Sequence, residues 1–388
     1  MSDRLPPVFL VESPHPWWGV WQRPHQIMSR LARRFPVVYV TPVYGRDLRG
    51  QRAAFKRWRD TRDPENGGIR LMAVRQRHGE RFAPLLRWNQ RAVIQAFRRA
   101  AQEHPGRRRI LWIYDPHKGY LADAVDHDLL VYDVMDEYSE FPFAPPRIRE
   151  EEEALLARAD QVFAGTWALF ERKKALARSI RCCLSKVDAE HFARARTADC
   201  PLPPEAAAWR ERYECTIGYF GMVDERIDWT LVERMARERP KWGFVFVGPL
   251  GRRADDGERR LQRLPENVEL LGQRPYAALP GYCRAWDFCW IPFVRNAWTD
   301  HINPTKILEY FAAGRPTLSV RIPDVVKCYS DEVVLADSAE EMLERIEQWR
   351  LHPDRFAPRL ARAAETARRN SWDQLVLDML ADLNIPLP

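Results

Sequence analysis

TIGYFGMVDERIDWTLVERMARERPKWGFVFVGP, residues 216–249, reads as a strand, a glycine turn, a helix and a second strand. The apolar run 217–220 ends at Gly221, the stretch 229–237 has a helical pattern, and the run 244–247 ends in Gly248-Pro249. Short apolar runs closed by Gly or Pro and separated by helical patterns are the signature of strand–helix–strand units. The same rhythm continues outward on both sides. Downstream, strands are expected at 268–271, 288–293, 317–320 and 333–335, with helices at 275–283, 304–313 and 339–349. Upstream, strands are expected at 8–12, 37–41 (closed by Pro42), 69–74, 110–114, 129–134, 161–164 and 180–184. Helices are expected there at 24–34, 85–101, 150–159 and 167–177.

Alternating strands and helices imply parallel sheets wound on both faces. The near-continuous Val, Ile, Phe and Leu of the strands fits burial on both sides. The fold class is therefore α/β, with two Rossmann-like domains facing a central cleft. The stretch 193–214, which contains PLPPEAAAW, has little strand signal and serves as the boundary. The domains are expected at 1–205 and 206–369, with a helix at about 370–388 packing back on the first.

The totals agree. A chain of 388 residues with 46% hydrophobic residues suits two domains, each with its own core. No run of about 18 uncharged apolar residues exists, and the N-terminal MSDRLPPVFLVES lacks the character of a signal peptide. The seven cysteines show no zinc spacing and read as reduced thiols, so the expected location is cytoplasmic. The net charge of +7 is concentrated between Arg46 and Arg109, interleaved with Phe55, Trp58, Phe82, Leu85, Leu86 and Trp88. Such a stretch suits a peripheral contact with an anionic membrane surface on the inner face of the cell membrane. It carries no nucleic-acid-binding motif, and no nucleic-acid partner is expected.

The segment 300–316, DHINPTKILEYFAAGRP, carries the most chemistry. Asn303 is a good N-cap and Pro304 suits the first helical position. Lys306 and Glu309 share one face. A lysine in the first turn opposes the helix dipole, and a bound phosphate would remove that conflict. A glutamate amid apolar neighbours needs hydrogen-bond donors, which ribose hydroxyls would supply.

NPTKILEYFAAGRP resembles the donor-binding helix of the large retaining glycosyltransferase family that includes sucrose synthases and bacterial mannosyltransferases. It is closest to the bacterial branch with an Asn-Pro-x-Lys-x-x-Glu-Tyr pattern. The resemblance implies the two-domain architecture called GT-B. It also implies that Glu309 grips the ribose of a nucleotide-sugar donor, while Lys306 and the amides near Asn303 and Thr305 face its diphosphate. His301 stands where the family has a sugar-contacting glutamate. The turn at Gly221 resembles the branch's opening of the C-terminal domain, with Arg226 as the nearest substitute for the wider family's phosphate pair. Ser185-Lys186-Val187-Asp188 stands where the family shows Asn-Gly-Val-Asp, and the likeness runs from about Val8 to Asp337.

In the first half, PHPWWGVWQRPHQI (14–27) follows a strand and enters a helix. Gly19 lets backbone approach a ligand, Trp17, Trp18 and Trp21 offer stacking faces, and Arg23 and His25 are polar groups at the helix start. At later strand ends, His117 is the candidate to point at the donor sugar. Asp136 is the candidate to bind acceptor hydroxyls or take a proton, and Glu137 reads as a helix cap. No Ser-His-Asp order, zinc signature, Walker loop or GxGxxG is present. The expected function is transfer of a sugar from a nucleotide-sugar donor to a glycan, lipid-linked or small-molecule acceptor. The resemblance adds retention of configuration, and Lys306 with helix amides makes a metal unnecessary. Two other readings stay open: a catalytically silent sugar-nucleotide-binding scaffold subunit, and a nucleotide-sugar epimerase of the same shape.

Overall fold

Strand β1 (Val8–Glu12) is buried at every position, as its run of apolar residues requires. The computed structural model describes residues 5–44, 52–58, 60–77, 83–141, 144–251 and 260–388. By its internal contacts the chain divides into two units, one running up to Leu184 and taking in Asp373–Pro388, the other Ser185–Trp372.

In the first unit β1 is joined by β2 (Val37–Tyr44), β3 (Asp60–Asp63), β4 (Ile69–Gln76), β5 (Arg109–Ile113), β6 (Leu129–Val134), β7 (Gln161–Ala164) and β8 (Ile180–Cys182). Among the described residues their order is β3-β4-β2-β1-β5-β6-β7-β8. All pairs are parallel except β3 with β4. β2 runs past Pro42 instead of stopping there. Its pairing with β1 ends at Val40, and only β4 flanks it beyond that point. The missing proline N–H therefore costs no ladder bond on the open side. β3 escapes a search for apolar runs because Asp-Thr-Arg-Asp is a polar, largely exposed edge strand.

The helix Ala83–Gln102 turns Val93, Ala96, Phe97, Ala100 and Ala101 into the core. Its apolar stripe is thus mostly a packing face, although Trp88 remains exposed. Of the basic stretch 46–109, residues 46–51, 59 and 78–82, Phe82 among them, lie outside the described residues. The helix Trp372–Asp382 packs within this unit. Its Val376, Met379 and Leu380 line a small gap with Ile27 and Leu31. Ion pairs Arg30–Asp373 at 3.1 Å and Arg181–Asp382 at 2.6 Å flank it.

The second unit is built on β9 (Cys215–Phe220), β10 (Trp242–Val247), β11 (Val268–Leu270), β12 (Phe288–Ile291), β13 (Thr317–Ser319) and β14 (Val334–Leu335). Among the described residues they form one parallel sheet in the order β11-β10-β9-β12-β13-β14. Gly218 sits mid-strand because the buried indole of Trp286 lies against it. A Cβ there would meet the ring at 1.8 Å. The helix Trp229–Glu238 starts where Asp228 Oδ1 accepts from the N–H groups of Thr230 and Leu231, each at 3.0 Å. Residues 185–205, read in sequence as part of the first domain, pack in this second unit. Val187, Phe192 and Ala195 enter its core beside Ala206 and Trp209. Proline-rich loop chemistry marks the stretch 193–214 but does not say which core its neighbours join.

Candidate functional site

At the carboxyl end of β9 the chain turns at Gly221 with φ of 132°, which disfavours a side chain. A Cβ at Gly221 would lie 2.1 Å from Cε and 2.8 Å from Nζ of Lys306. The glycine therefore makes the groove in which the lysine lies. Lys306 opens the seven-residue helix Lys306–Ala312, which buries Ile307, Leu308, Tyr310, Phe311 and Ala312. That burial anchors the helix, and Lys306 and Glu309 stay on its part-exposed face.

Neither Lys306 Nζ nor the Glu309 carboxylate has a hydrogen-bond or ion-pair partner among the described residues, and the two do not pair with each other. Nζ instead sits 5.5 Å from the centroid of the Tyr219 ring. Burial pushes the Lys306 ammonium down to about 8, with the Arg226 charge adding to the effect. Burial pushes the Glu309 carboxyl up to about 7. Lys306 pulls against that shift and Asp188 reinforces it. Two opposite charges held without partners in surroundings that disfavour both can be satisfied by an anionic group beside the one and hydroxyls beside the other.

Arg226 is the second cation here. Asp224 grips it through two bonds, Nη2 to Oδ2 at 2.8 Å and Nε to Oδ1 at 2.9 Å. Its guanidinium also lies over the rings of Trp298 at 5.4 Å and Phe293 at 5.6 Å. Asp224 was not singled out from the sequence, and its place two residues before Arg226 in a turn was the available signal. Asn303 is not the helix N-cap: Thr305 holds that position, and its carbonyl accepts from Leu308 N at 3.1 Å. Asn303 is buried and donates to Asp324 Oδ2 at 3.3 Å, which ties the loop to the helix Pro323–Tyr329. His301 lies in the short turn Thr299–His301 with Nδ1 2.6 Å from the Ala297 carbonyl, and Asp300 pairs with Arg295 at 2.7 Å. Asp188 caps the helix Ala189–Ala193 by accepting from His191 N at 3.1 Å. His191 in turn stacks on Tyr276 with centroids 4.4 Å apart.

In the first unit, Arg23 has a different place from the one its position in a loop suggested. It is buried, its Nε bonds Asp133 Oδ1 at 2.9 Å, and its Nη1 donates to the Cys183 carbonyl at 2.6 Å. His25 is buried too. Its Nδ1 accepts from Gln22 N at 3.0 Å, its Nε2 faces the Pro16 carbonyl at 3.1 Å, and burial drives it down to about 3. Trp17 is a packing residue whose Nε1 donates to Asp63 at 2.8 Å, and it joins Trp21, His25 and Tyr39 in one aromatic cluster. Gly19 is exposed in a turn closed by its N–H to the Pro16 carbonyl at 2.8 Å.

His117 sits in the turn Pro116–Lys118 with its main-chain N–H on Asp115 Oδ1 at 2.9 Å and its Nδ1 2.6 Å from Glu151 Oε2. Asp136, part-exposed, follows the end of β6. Glu137 holds the N-cap position of the short turn Tyr138–Glu140, but its side chain makes no cap bond: it is buried and bonds Lys173 Nζ at 2.9 Å, and the same ammonium bonds Glu152 at 2.7 Å. Glu12, which the sequence presents only as the last residue of a strand, is fully buried at the carboxyl end of β1. Its Oε2 accepts from Asp115 N at 3.0 Å and Tyr114 N at 3.3 Å. Burial, with Asp115 adding, pushes it up to about 8.

Known proteins share the fold that carries these residues. Residues 226–381 match the family described as glycosyl transferase-like. The chain is 24% identical over 235 residues to the putative teichuronic acid biosynthesis glycosyltransferase TuaH of Bacillus subtilis (strain 168). That match covers 57% of this chain and 58% of the relative, so somewhat over half of each. Among solved structures it resembles sucrose-phosphate synthase from Thermosynechococcus elongatus with a TM-score of 0.72 at 15% identity, covering 97% of this chain and 98% of the other. It also resembles Anabaena HepE in complex with UDP-glucose, with a TM-score of 0.70 at 14% identity over 97% of this chain and 99% of that one. The chain thus has the GT-B fold of two Rossmann-like domains, and within it residues 226–381 are similar to the glycosyl transferase-like family.

Proposed function

We propose that the protein is a glycosyltransferase whose second unit binds a nucleotide-sugar donor at Lys306, Glu309, Arg226 and Gly221. The observation that carries this reading is the pair of partnerless opposite charges at the end of β9. A nucleoside diphosphate supplies what each lacks. Its diphosphate takes the Lys306 ammonium, with Arg226 close by, and its ribose hydroxyls donate to the Glu309 carboxylate. Such cations stabilise a departing diphosphate without a metal. HepE is solved with UDP-glucose, which makes UDP-sugars the first donors to try. His301, Asn303 and Thr305 stay assigned to the donor loop. Gly19 is assigned to donor binding, and His117 and Asp136 to contact with sugar or acceptor. The acceptor is a glycan, a lipid-linked sugar or a small molecule, and retention of configuration follows the family resemblance.

The test is the melting temperature with UDP-, GDP-, ADP- and dTDP-sugars. A ligand at 100 times its dissociation constant stabilises the folded state by about 2.7 kcal/mol, and an upward shift with at least one of these is expected. No shift with any of them defeats the donor reading. Transfer to an acceptor by the same preparation then separates the enzyme from a silent donor-binding subunit, the reading that His301 in the family's glutamate position favours.

Donor affinity should also depend on pH on both sides of neutrality. The diphosphate needs Lys306 protonated and the ribose needs Glu309 ionised. Affinity is expected to peak between pH of about 7 and about 8, where both conditions hold best. Below that window Glu309 takes a proton, and above it Lys306 loses one. A flat calorimetric profile from pH 6 to 9 would remove both groups from the site.

The first unit is assigned a reversible contact with an anionic membrane. No described helix is long and apolar enough to cross one. The support is the exposed Trp88 with Arg77 over its ring at 4.5 Å, beside exposed Arg87 and Arg91. Each basic residue near such a surface contributes about 1 kcal/mol. Sedimentation with acidic liposomes at low salt, lost at high salt and with neutral lipid, is the expected result.

A further inference from the structure

We infer that Glu151 is the positioning residue that fixes His117 in one tautomer, with Nδ1 protonated and Nε2 presented as a hydrogen-bond acceptor. The inference rests on the assignment of His117 to sugar or acceptor contact. The contact itself is short, 2.6 Å from His117 Nδ1 to Glu151 Oε2. An ionised carboxylate can only accept, so Nδ1 must carry the hydrogen. Nε2 has no hydrogen-bond partner among the described residues, and the ring keeps 23% of its surface open. A neutral imidazole held in this way accepts a hydrogen bond from a sugar or acceptor hydroxyl. The opposite tautomer would donate one instead.

Both members of the pair are held by the interior. On the histidine side, Glu12 at the end of β1 takes the N–H of Asp115, and Asp115 Oδ1 takes the N–H of His117. The 116–118 turn is therefore fastened to the sheet. On the glutamate side, Glu151 lies on the helix Ile148–Arg158, one residue before Glu152. Glu152 is buried and bonded to Lys173 Nζ and to the Tyr132 hydroxyl, each at 2.7 Å. Leu155 of the same helix lies 3.7 Å from where a Cβ on Gly119 would stand, so the helix also packs on the far end of the turn. An ordinary surface pair of a histidine and a glutamate has no such anchoring and contributes little. Here two separately fixed elements set the ring orientation, as a positioning contact requires. The sequence hid Glu151 in the run Glu150–Glu153, which reads as a solvated helix face.

The experiment uses the full chain with 15N-labelled histidine. The His117 signals are assigned by their loss in His117→Gln and recorded at a pH where the ring is neutral. The wild type is expected to show protonated Nδ1, and Glu151→Leu, which takes the acceptor away from Nδ1, is expected to move the ring toward protonated Nε2. In transfer assays Glu151→Leu should lower kcat about 10–100-fold while donor KM changes less than about threefold, and Glu151→Asp should recover part of the loss. Protonated Nε2 in the wild type, or a tautomer unchanged in Glu151→Leu, overturns the proposal. So does a tautomer shift with kcat unaltered. If the wild type transfers no sugar to any acceptor, the glycosyltransferase reading fails, and the tautomer measurement alone decides the role of Glu151.

Discussion

Glu309→Gln and Lys306→Met are each expected to weaken binding of a nucleoside-diphosphate sugar about 10–150-fold, the equivalent of losing one charge-assisted hydrogen bond worth roughly 1.5–3 kcal/mol. The same two changes should raise the melting temperature of the free protein. Both effects come from one fact: each group is charged, largely surrounded by protein and without a partner until a ligand arrives. Glu309 has its folded-state value raised to about 7. Its contribution to stability is therefore present in acid and lost as the pH rises through that value. A neutral glutamine avoids the loss, so the gain should be largest above about pH 7. Lys306 is depressed to about 8. Its contribution is present in strong alkali and lost as the pH falls through that value, so the gain from methionine should be largest below about pH 8. Structural side chains would behave in the opposite way, with replacement lowering stability and leaving affinity unaltered. Calorimetric titration of each variant with the donor, paired with its unliganded melt, decides between them. Unchanged affinity in both variants sinks the assignment.

What the sequence disclosed depended on the kind of information involved. Strands such as β1, β9 and β10 were legible because a fully buried parallel strand must be written in apolar residues, whatever its tertiary neighbours. β3 was not, because an exposed edge strand places no demand on composition. Lys306 and Glu309 were legible as a pair because helical spacing puts both on one face. Their lack of protein partners is a fact of three dimensions. The surroundings of Arg23, Glu137 and Asn303 were not legible for a common reason. Each is a polar residue near a loop, where sequence suggests a ligand or a cap. Each is in fact joined to a residue distant in the chain: Asp133 for Arg23, Lys173 for Glu137 and Asp324 for Asn303. Long-range polar pairing leaves no periodic trace. The boundary between the units was offset for a related reason, since only the packing of Val187 and Phe192 shows which core the connecting segment joins.

Arg23→Met should destabilise the first unit by about 3–5 kcal/mol, because it leaves the carboxylate of Asp133 buried without its counter-ion. The side chains of the pair are 4% and 0% exposed, so water cannot replace the guanidinium. Burial already pushes the Asp133 carboxyl up, and Arg23 is the charge that opposes the shift. Without Arg23 the carboxyl must rise further. A group raised in this way contributes stability in acid and loses it as the pH climbs through its folded value. The deficit of Arg23→Met relative to wild type should therefore be largest at neutral pH and shrink as the pH falls. The double variant Arg23→Met/Asp133→Asn removes the stranded charge and should recover much of the loss, the non-additivity expected of two residues in direct contact. Donor affinity, measured at a temperature where the single variant remains folded, should change little if Arg23 serves the fold and should drop if the guanidinium reaches the ligand. Denaturant unfolding of the wild type, both single variants and the double variant at two pH values provides the cycle. An Arg23→Met variant as stable as wild type at neutral pH would mean that Asp133 is neutral in the native protein and that the pair is no ion pair.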